Sequence, residues 1–377
     1  MRASLVTVVC IRDTALEWLA LSLLPHVGSV TLCRLARRYR TPSTLFEKLG
    51  NDPDINPRLV RILTDSSLLA SAKKQVRQQV ELLQRNRISL TCFDAPEYPS
   101  RLRELDDFPV LLFYQGDLAS LAGPSVALVG SRAATGYGRD VSRRLAVGLG
   151  RQGINVVSGV AAGIDAAAHA GALSVGGCTT GVLGCGLDVV YPRTHGKLYQ
   201  QIAEQGVLIS EYPCGTRPDG FRFPARNRII SGLAMGVVVV EATVKSGSLI
   251  TARLALDQGR EVFAVPGRVD SVKSAGAHRL LQQGAHLVQS ADDILLELDL
   301  AVPVGGAQWQ SQETVGEGNE EEQRVLGCLD VYPVDIDTIM RVSGLGTGRV
   351  LDLLLQLELK GLVRQRPGQL YEKVMLS

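Results

Sequence analysis

The run Phe221-Arg222-Phe223-Pro224-Ala225-Arg226-Asn227-Arg228-Ile229-Ile230 places three arginines, an amide and two phenylalanines directly ahead of an apolar helix face. Arginine interleaved with aromatics suits single-stranded nucleic acid, because guanidinium groups hold phosphates while flat rings stack on bases without reading them. The competing account is a buried Phe223 beside arginines engaged in internal ion pairs. Pro224 fits a first helical position. Ile229, Ile230 and Leu233 would then face the core and leave Arg226 and Asn227 near the helix start.

Three other segments have the chemistry of anion sites. Val126-Ala127-Leu128-Val129 reads as a buried strand ending in Gly130-Ser131-Arg132, with a helix from about Gly138. Such a turn points backbone N–H groups and a positive helix end outward, and Arg132 adds a charge-assisted fork. A second crossover runs from Ser158-Gly159 to Gly163-Ile164-Asp165, where Asp165 is a natural N-cap for a helix over Ala166–Leu173. Asp165 and His169 are one turn apart, which is acid/base spacing, but a capping Asp beside a packed or capping His is favoured. In the third segment Ser246-Gly247-Ser248 follows Val240-Glu241-Ala242. Its small residues permit close approach of a ligand, while a serine caps the next helix. Glu241 has no second carboxylate spaced to assist it and is read as an internal partner for an arginine such as Arg228.

Several chemistries lack their signatures. Gly184-Cys185-Gly186-Leu187-Asp188 has two glycines of a dinucleotide fingerprint but Val189 in place of the third, so Asp188 and Tyr191-Pro192 read as structural. No GxxxxGK[ST] string and no GxSxG elbow occurs. The seven cysteines include no CxxC pair, which argues against a disulfide framework and a structural zinc site. No cofactor, metal or catalytic residue is expected.

The elements that must position these residues follow from periodicity. Over residues 13–84 apolar side chains recur at three- and four-residue intervals, interrupted by Leu24-Pro25-His26-Val27-Gly28. A helix, a Pro/Gly turn and a second helix bearing Arg34, Arg37 and Arg38 resemble helix-hairpin-helix and SAM-like modules. From about 88 to 299 short β-rich runs alternate with helical stretches, which signals a mostly parallel sheet. The runs are 126–129, 155–158, 179–183, 207–210, 237–241, 262–265 and 285–288, and the ligand crevice belongs at their carboxyl ends. The Gly- and Glu-rich segment from 301 lacks apolar periodicity and reads as a linker. Beyond it, helices over 323–329, 335–342 and 347–360 and a wing from 361–364 and 369–372 suggest a winged helix. Arg349 on its recognition helix shares that helix with Asp352 and Glu358, which disfavours strong major-groove binding. The expected organisation is α/β: a helical domain over 1–87, an extended Rossmann-like domain over 88–300, a linker over 301–322 and a winged helix over 323–377.

Composition restricts the class further. Of 377 residues 45% are apolar, 21% charged and 5% aromatic, with net charge +2, an ordinary globular balance without a polycationic block. No apolar run approaches the roughly 18–20 residues of a membrane span. The first residues lack the apolar stretch of about 7–15 and the cleavage site of a secretory leader, so a cytoplasmic protein is expected.

The strings Gly130-Ser131-Arg132, Ser158-Gly159-Val160-Ala161-Ala162-Gly163-Ile164-Asp165 with Ala168-His169, Tyr191-Pro192, Phe223–Ile230, Glu241-Ala242, Ser246-Gly247-Ser248-Leu249 and Val265-Pro266-Gly267 occur in the order seen in the DNA-processing protein A (DprA/Smf) family. The chain closely resembles that family from about 90 to 299. The resemblance implies a noncatalytic single-stranded DNA-binding protein that protects incoming DNA and loads RecA recombinase during natural transformation. The expected partners are single-stranded DNA, RecA and single-strand-binding protein, and the protein is expected to dimerise through the Rossmann-like domain. The binding residues expected are Gly130, Ser131, Arg132, Gly159, Gly163, Phe223, Arg226, Asn227, Arg228, Ser246, Gly247 and Ser248. The alternative is a nucleotide-cleaving enzyme, because the domain also resembles the nucleoside-monophosphate phosphoribohydrolases. Their PGGxGTxxE string is replaced here by Ser246-Gly247-Ser248-Leu249-Ile250-Thr251, without its glutamate.

Overall fold

Apolar periodicity of 3.6 in the first part of the chain gives way to short β-branched runs, and the structure, a computed structural model, changes architecture at the same place. It describes residues 11–49, 52–53, 55–300, 320–329 and 333–374; the start that was read for a secretory leader (residues 1–10) and most of the expected linker lie outside the described residues. Helices α1 (Asp13–Ser22), α2 (Ser29–Tyr39), α3 (Pro42–Lys48), α4 (Pro57–Thr64) and α5 (Ser66–Asn86) come first. The Leu24–Gly28 turn separates α1 from α2 as its Pro and Gly predict. Asp65 caps α5 by accepting from the Ser67 and Leu68 N–H groups.

The sheet region follows as β1 (Ser89–Cys92), α6 (Ser100–Arg103), β2 (Leu111–Gly116), β3 (Ser125–Val129), α7 (Gly136–Arg151), β4 (Asn155–Ser158), α8 (Ile164–Ser174), β5 (Thr179–Leu183), α9 (Gly196–Gln205), β6 (Val207–Ser210), α10 (Arg222–Leu233), β7 (Gly236–Val239), α11 (Ser248–Asp257), β8 (Glu261–Ala264), α12 (Ala275–Gln282), β9 (His286–Leu287) and α13 (Ala291–Glu297). Strand order is β1-β2-β6-β5-β4-β3-β7-β8-β9. The β1–β2 and β2–β6 pairs are antiparallel; the other neighbours are parallel. β1, at one edge of the sheet, and β2 beside it are additions to the seven runs read from the sequence; Ser89–Cys92 is short, and its pairing with β2 marks it as a strand.

Alternation along β3 builds two cores. Val126 and Leu128 pack with Val141, Leu145 and Leu149 of α7 and with Ile294 of α13, while Ala127 and Val129 face Ile229, Ile230 and Leu233 of α10. The second core continues into the N-terminal helices, where Trp18 meets the Phe93 ring edge-on at 6.1 Å. The final part comprises α14 (Glu320–Cys328), β10 (Val334–Asp335), α15 (Ile336–Ser343), α16 (Thr347–Leu359), β11 (Val363–Arg366) and β12 (Leu370–Lys373). It is a winged helix with its own core of Val325, Ile339, Leu353, Leu354 and Leu357. On α16, Arg349 is held by Glu321 at 2.7 Å and Asp352 at 2.9 Å.

Candidate functional site

The chain fills the sheet from β3 outward through β4, β5 and β6, then returns to place β7 on the other side of β3. The loops leaving β3 and β7 therefore diverge to opposite faces and open a crevice at their carboxyl ends. Ser131 N–H donates to the Glu241 carbonyl at 2.8 Å and ties the two loops at their base. The resulting cleft, of about 570 Å³, brings together Gly130, Ser131, Arg132, Phe223, Arg226, Asn227, Ser246, Gly247 and Ser248 from three distant segments.

Arg132 is exposed, and among the described residues no carboxylate lies within ion-pair distance of it. Its guanidinium rests on the Phe223 ring, 4.9 Å from the centroid, and Phe223 stacks on Tyr191 at 5.4 Å and 26°. Cation, phenyl and phenol thus form one cluster, in which the Phe223 ring orients the guanidinium without neutralising it. At the same cleft α11 begins. Ser246 Oγ accepts from Ser248 N–H at 3.4 Å and lies 2.7 Å from Ser248 Oγ, while the amides of the first turn carry the positive end of the helix. A Cβ on Gly247 would meet nothing within 4 Å.

Beneath this surface Arg226 is a strut. Its Nη1 donates to the Gly159 carbonyl at 3.0 Å and to the Val182 carbonyl, and its Nε donates to Asn227 Oδ1 at 3.2 Å, so the ends of β4 and β5 are pinned together. Burial lowers the Arg226 pKa and raises that of Asp165. Asp165 differs from its expected capping role: α8 begins two residues earlier than expected, with Gly163 as N-cap, and the carboxylate accepts from Gly159 N–H (3.1 Å) and Ala161 N–H (3.3 Å) of the preceding loop. His169 is packed, as favoured. Thr179 Oγ1 donates to the Val156 carbonyl and so accepts from His169 Nδ1–H at 2.7 Å, and burial pushes the imidazole pKa down to about 3.

Gly159 and Gly163 support the cleft from below. A Cβ on Gly159 would lie 2.6 Å from Arg226 Nη2, and one on Gly163, at φ +83°, 2.3 Å from the Ser131 carbonyl. Glycine at 163 is what lets the start of α8 press against the Arg132 turn.

Further expectations change, beginning with Pro224, which is the third residue of α10 and not the first. Arg228 does not reach the cleft: two residues beyond Arg226 on α10, it projects to the other side of the helix and pairs with Glu211 at 2.7 Å and Asp107 at 3.2 Å. Glu241 is internal, but its partner is Thr135, whose N–H (2.9 Å) and hydroxyl both donate to the carboxylate; Arg228 is not involved. The sequence reading took Tyr191 as structural and passed over Pro218, Asp219 and Gly220, yet all four line the cleft. The last three follow the carboxyl end of β6, and that position was their signal. A smaller cavity of about 190 Å³ adjoins the cleft beneath Tyr191 and Phe223, bounded also by Tyr199 and Cys185.

A Rossmann-like α/β protein with an arginine- and ring-lined cleft at its switch point, N-terminal helices and a winged helix is the class these features define. The chain belongs to the DNA recombination-mediator protein A family, whose model matches residues 89–299; the DprA winged helix domain matches residues 311–369. It is 34% identical to Protein Smf of Synechocystis sp. over 94% of this chain and 98% of that relative. It is 48% identical to the DNA processing protein DprA of Streptococcus pneumoniae over 54% of this chain and 71% of that one. The X-ray structure of the S. pneumoniae protein superposes with a TM-score of 0.64 at 36% identity, covering 76% of this chain and 99% of that chain. DNA processing protein A from Helicobacter pylori, whose structure addresses its single-stranded DNA binding mode, superposes with a TM-score of 0.51 at 33% identity, covering 55% of this chain and 95% of that chain. Membership assigns the chain to the DNA-processing recombination mediators. Among the described residues no helix is long and apolar enough to cross a membrane.

Proposed function

We propose that the switch-point cleft binds single-stranded DNA with little sequence preference and without turnover. As a homodimer in the cytoplasm, the protein would load RecA recombinase onto strands coated with single-strand-binding protein and protect incoming DNA during natural transformation. The observation that carries the DNA reading is the Arg132–Phe223–Tyr191 cluster beside the start of α11: a phosphate finds a guanidinium without an ion-pair partner among the described residues, and helix amides, while a base finds aromatic rings. The H. pylori relative, studied for its single-stranded DNA binding, supports the same assignment. The buried carboxylates that follow β7 and lead α8 are committed elsewhere, Glu241 to Thr135 and Asp165 to loop amides, which favours binding over cleavage. Dimerisation would place two grooves together and raise the local concentration of strand and recombinase.

Strand exchange by RecA on coated single strands, with and without this protein, tests the whole proposal. Stimulation by wild-type protein and its loss in Arg132→Ala are expected. A well-folded protein that binds strands but gives no stimulation would refute RecA loading. Turnover of AMP or another nucleotide without strand binding would replace the DNA reading with the phosphoribohydrolase one.

A further inference from the structure

Residues 211–221 connect β6 to α10 and carry Pro218, Asp219 and Gly220 to the rim of the cleft that also contains Ser246–Ser248. The connection has Gly215 at φ +82° and exposes Arg217, Asp219 and Gly220. Its internal backbone bonds are few: Thr216 N–H to the Pro213 carbonyl at 3.3 Å and Arg222 N–H to the Asp219 carbonyl at 3.1 Å. Arg222 Nη1 also donates to the Arg217 carbonyl at 2.6 Å, and the rest of the connection is gripped from outside.

Those grips are specific. At its start Glu211 is paired with Arg228, and Tyr212 N–H donates to Ser210 Oγ at 3.0 Å. In the middle Cys214 is buried, and its peptide is held from both sides by one side chain of the N-terminal helices. Gln79 Oε1 accepts from Cys214 N–H at 3.0 Å, and Gln79 Nε2 donates to the Cys214 carbonyl at 3.1 Å. An amide that both donates to and accepts from one residue mimics a rung of an antiparallel ladder and fixes orientation as well as distance. Next to it Asp188 receives Gly215 N–H at 2.9 Å, and Gly186 N–H donates to the Thr216 carbonyl at 2.9 Å. Asp188 and Gly186 belong to the same sheet region as the loop. Gln79 is 135 positions away, on a helix anchored by buried Ala72 and Leu83.

We propose that Gln79 is a positioning residue for the cleft: by holding Cys214 it sets where the Pro218–Gly220 wall stands, so the N-terminal helices tune strand affinity without touching the strand. The inference rests on the strand-binding reading above. It predicts that loosening the clamp weakens binding through geometry alone and leaves the number of phosphate contacts unchanged.

The test uses the full-length chain with Gln79→Met, which keeps the length of the side chain and removes both bonds, and Gln79→Glu, which keeps the acceptor for Cys214 N–H. Amide hydrogen exchange without DNA is expected to speed up over residues 212–220 in Gln79→Met and less in Gln79→Glu. Strand affinity should fall roughly tenfold in Gln79→Met, the loss of two neutral hydrogen bonds, with partial recovery in Gln79→Glu. The slope of log K against log salt should match wild type in both. Faster exchange with unchanged affinity, unchanged exchange, or an altered salt slope each overturns the proposal. Should wild type bind no strands, the strand-binding reading fails on its own, while the exchange experiment still decides whether Gln79 holds the loop. Circular dichroism and a thermal melt establish that the variants are folded. If Gln79→Met fails to fold, Gln79→Glu carries the same comparison.

Discussion

Replacing Arg132 by alanine removes an exposed charge from the cleft. Its guanidinium has no ion-pair partner among the described residues and only the Phe223 ring beneath it, so the free protein loses about 0.5–1 kcal/mol of cation–π contact at most and stays folded. A bound phosphate loses a charge-assisted hydrogen bond of about 1.5–3 kcal/mol, equivalent to roughly 10- to 150-fold in affinity. One fewer phosphate contact also lowers the salt slope of log K by about 0.7 for a single strand. Across a fourfold rise in salt the gap between wild type and variant should therefore narrow by roughly 2.6-fold. Fluorescence anisotropy of a labelled oligothymidylate, titrated at several salt concentrations, measures both quantities. Arg132→Lys should recover the slope but not the full affinity, because an ammonium lacks the planar fork and stacks poorly. A folded Arg132→Ala protein with wild-type affinity and slope would refute the assignment of this cleft to phosphate.

Three further perturbations separate the scaffold from the surface. Arg228→Met leaves Glu211 buried without its partner and should cost about 3–5 kcal/mol in urea unfolding, while the salt slope of strand binding stays at wild type because Arg228 lies outside the cleft. His169 is held below its ordinary pKa of 6.5, at about 3, so the unfolded chain binds its proton first as pH falls. Its contribution to stability is complete above about 6.5 and is lost between there and about 3, with a slope approaching 1.4 kcal/mol per pH unit; His169→Gln should flatten that part of the stability–pH profile. Gly163→Ala forces a side chain into a left-handed backbone and against the Ser131 carbonyl. A loss of more than about 1 kcal/mol of stability, measured by thermal melting, should accompany weaker strand binding.

Much of the candidate site was legible along the chain because its signals are local. Gly130-Ser131-Arg132 and Ser246-Gly247-Ser248 each follow an apolar strand and precede a helix, and the rings and arginines of 221–228 announce their chemistry by type. What escaped was direction. Arg226 and Arg228 are two residues apart with the same composition around them. One is a strut under the cleft, and the other is an ion pair on the far side of α10, because positions i and i+2 of a helix face different ways. Glu241 was correctly read as internal, yet Thr135 holds it, since a short side chain at the start of α7 is already within reach and Arg228 is turned away.

By itself the sequence determined the succession of helices, parallel strands and winged helix, and the residue types able to hold phosphate and stack bases. These depend on side-chain periodicity and backbone preference over a few residues. Only the tertiary structure decided that β7 returns beside β3, that residues 130–132, 223–227 and 246–248 therefore share one crevice, and that Gln79 reaches Cys214. Strand order is a matter of long-range packing and crossover geometry, to which no local pattern responds, and a cleft at a switch point exists only once that order is set.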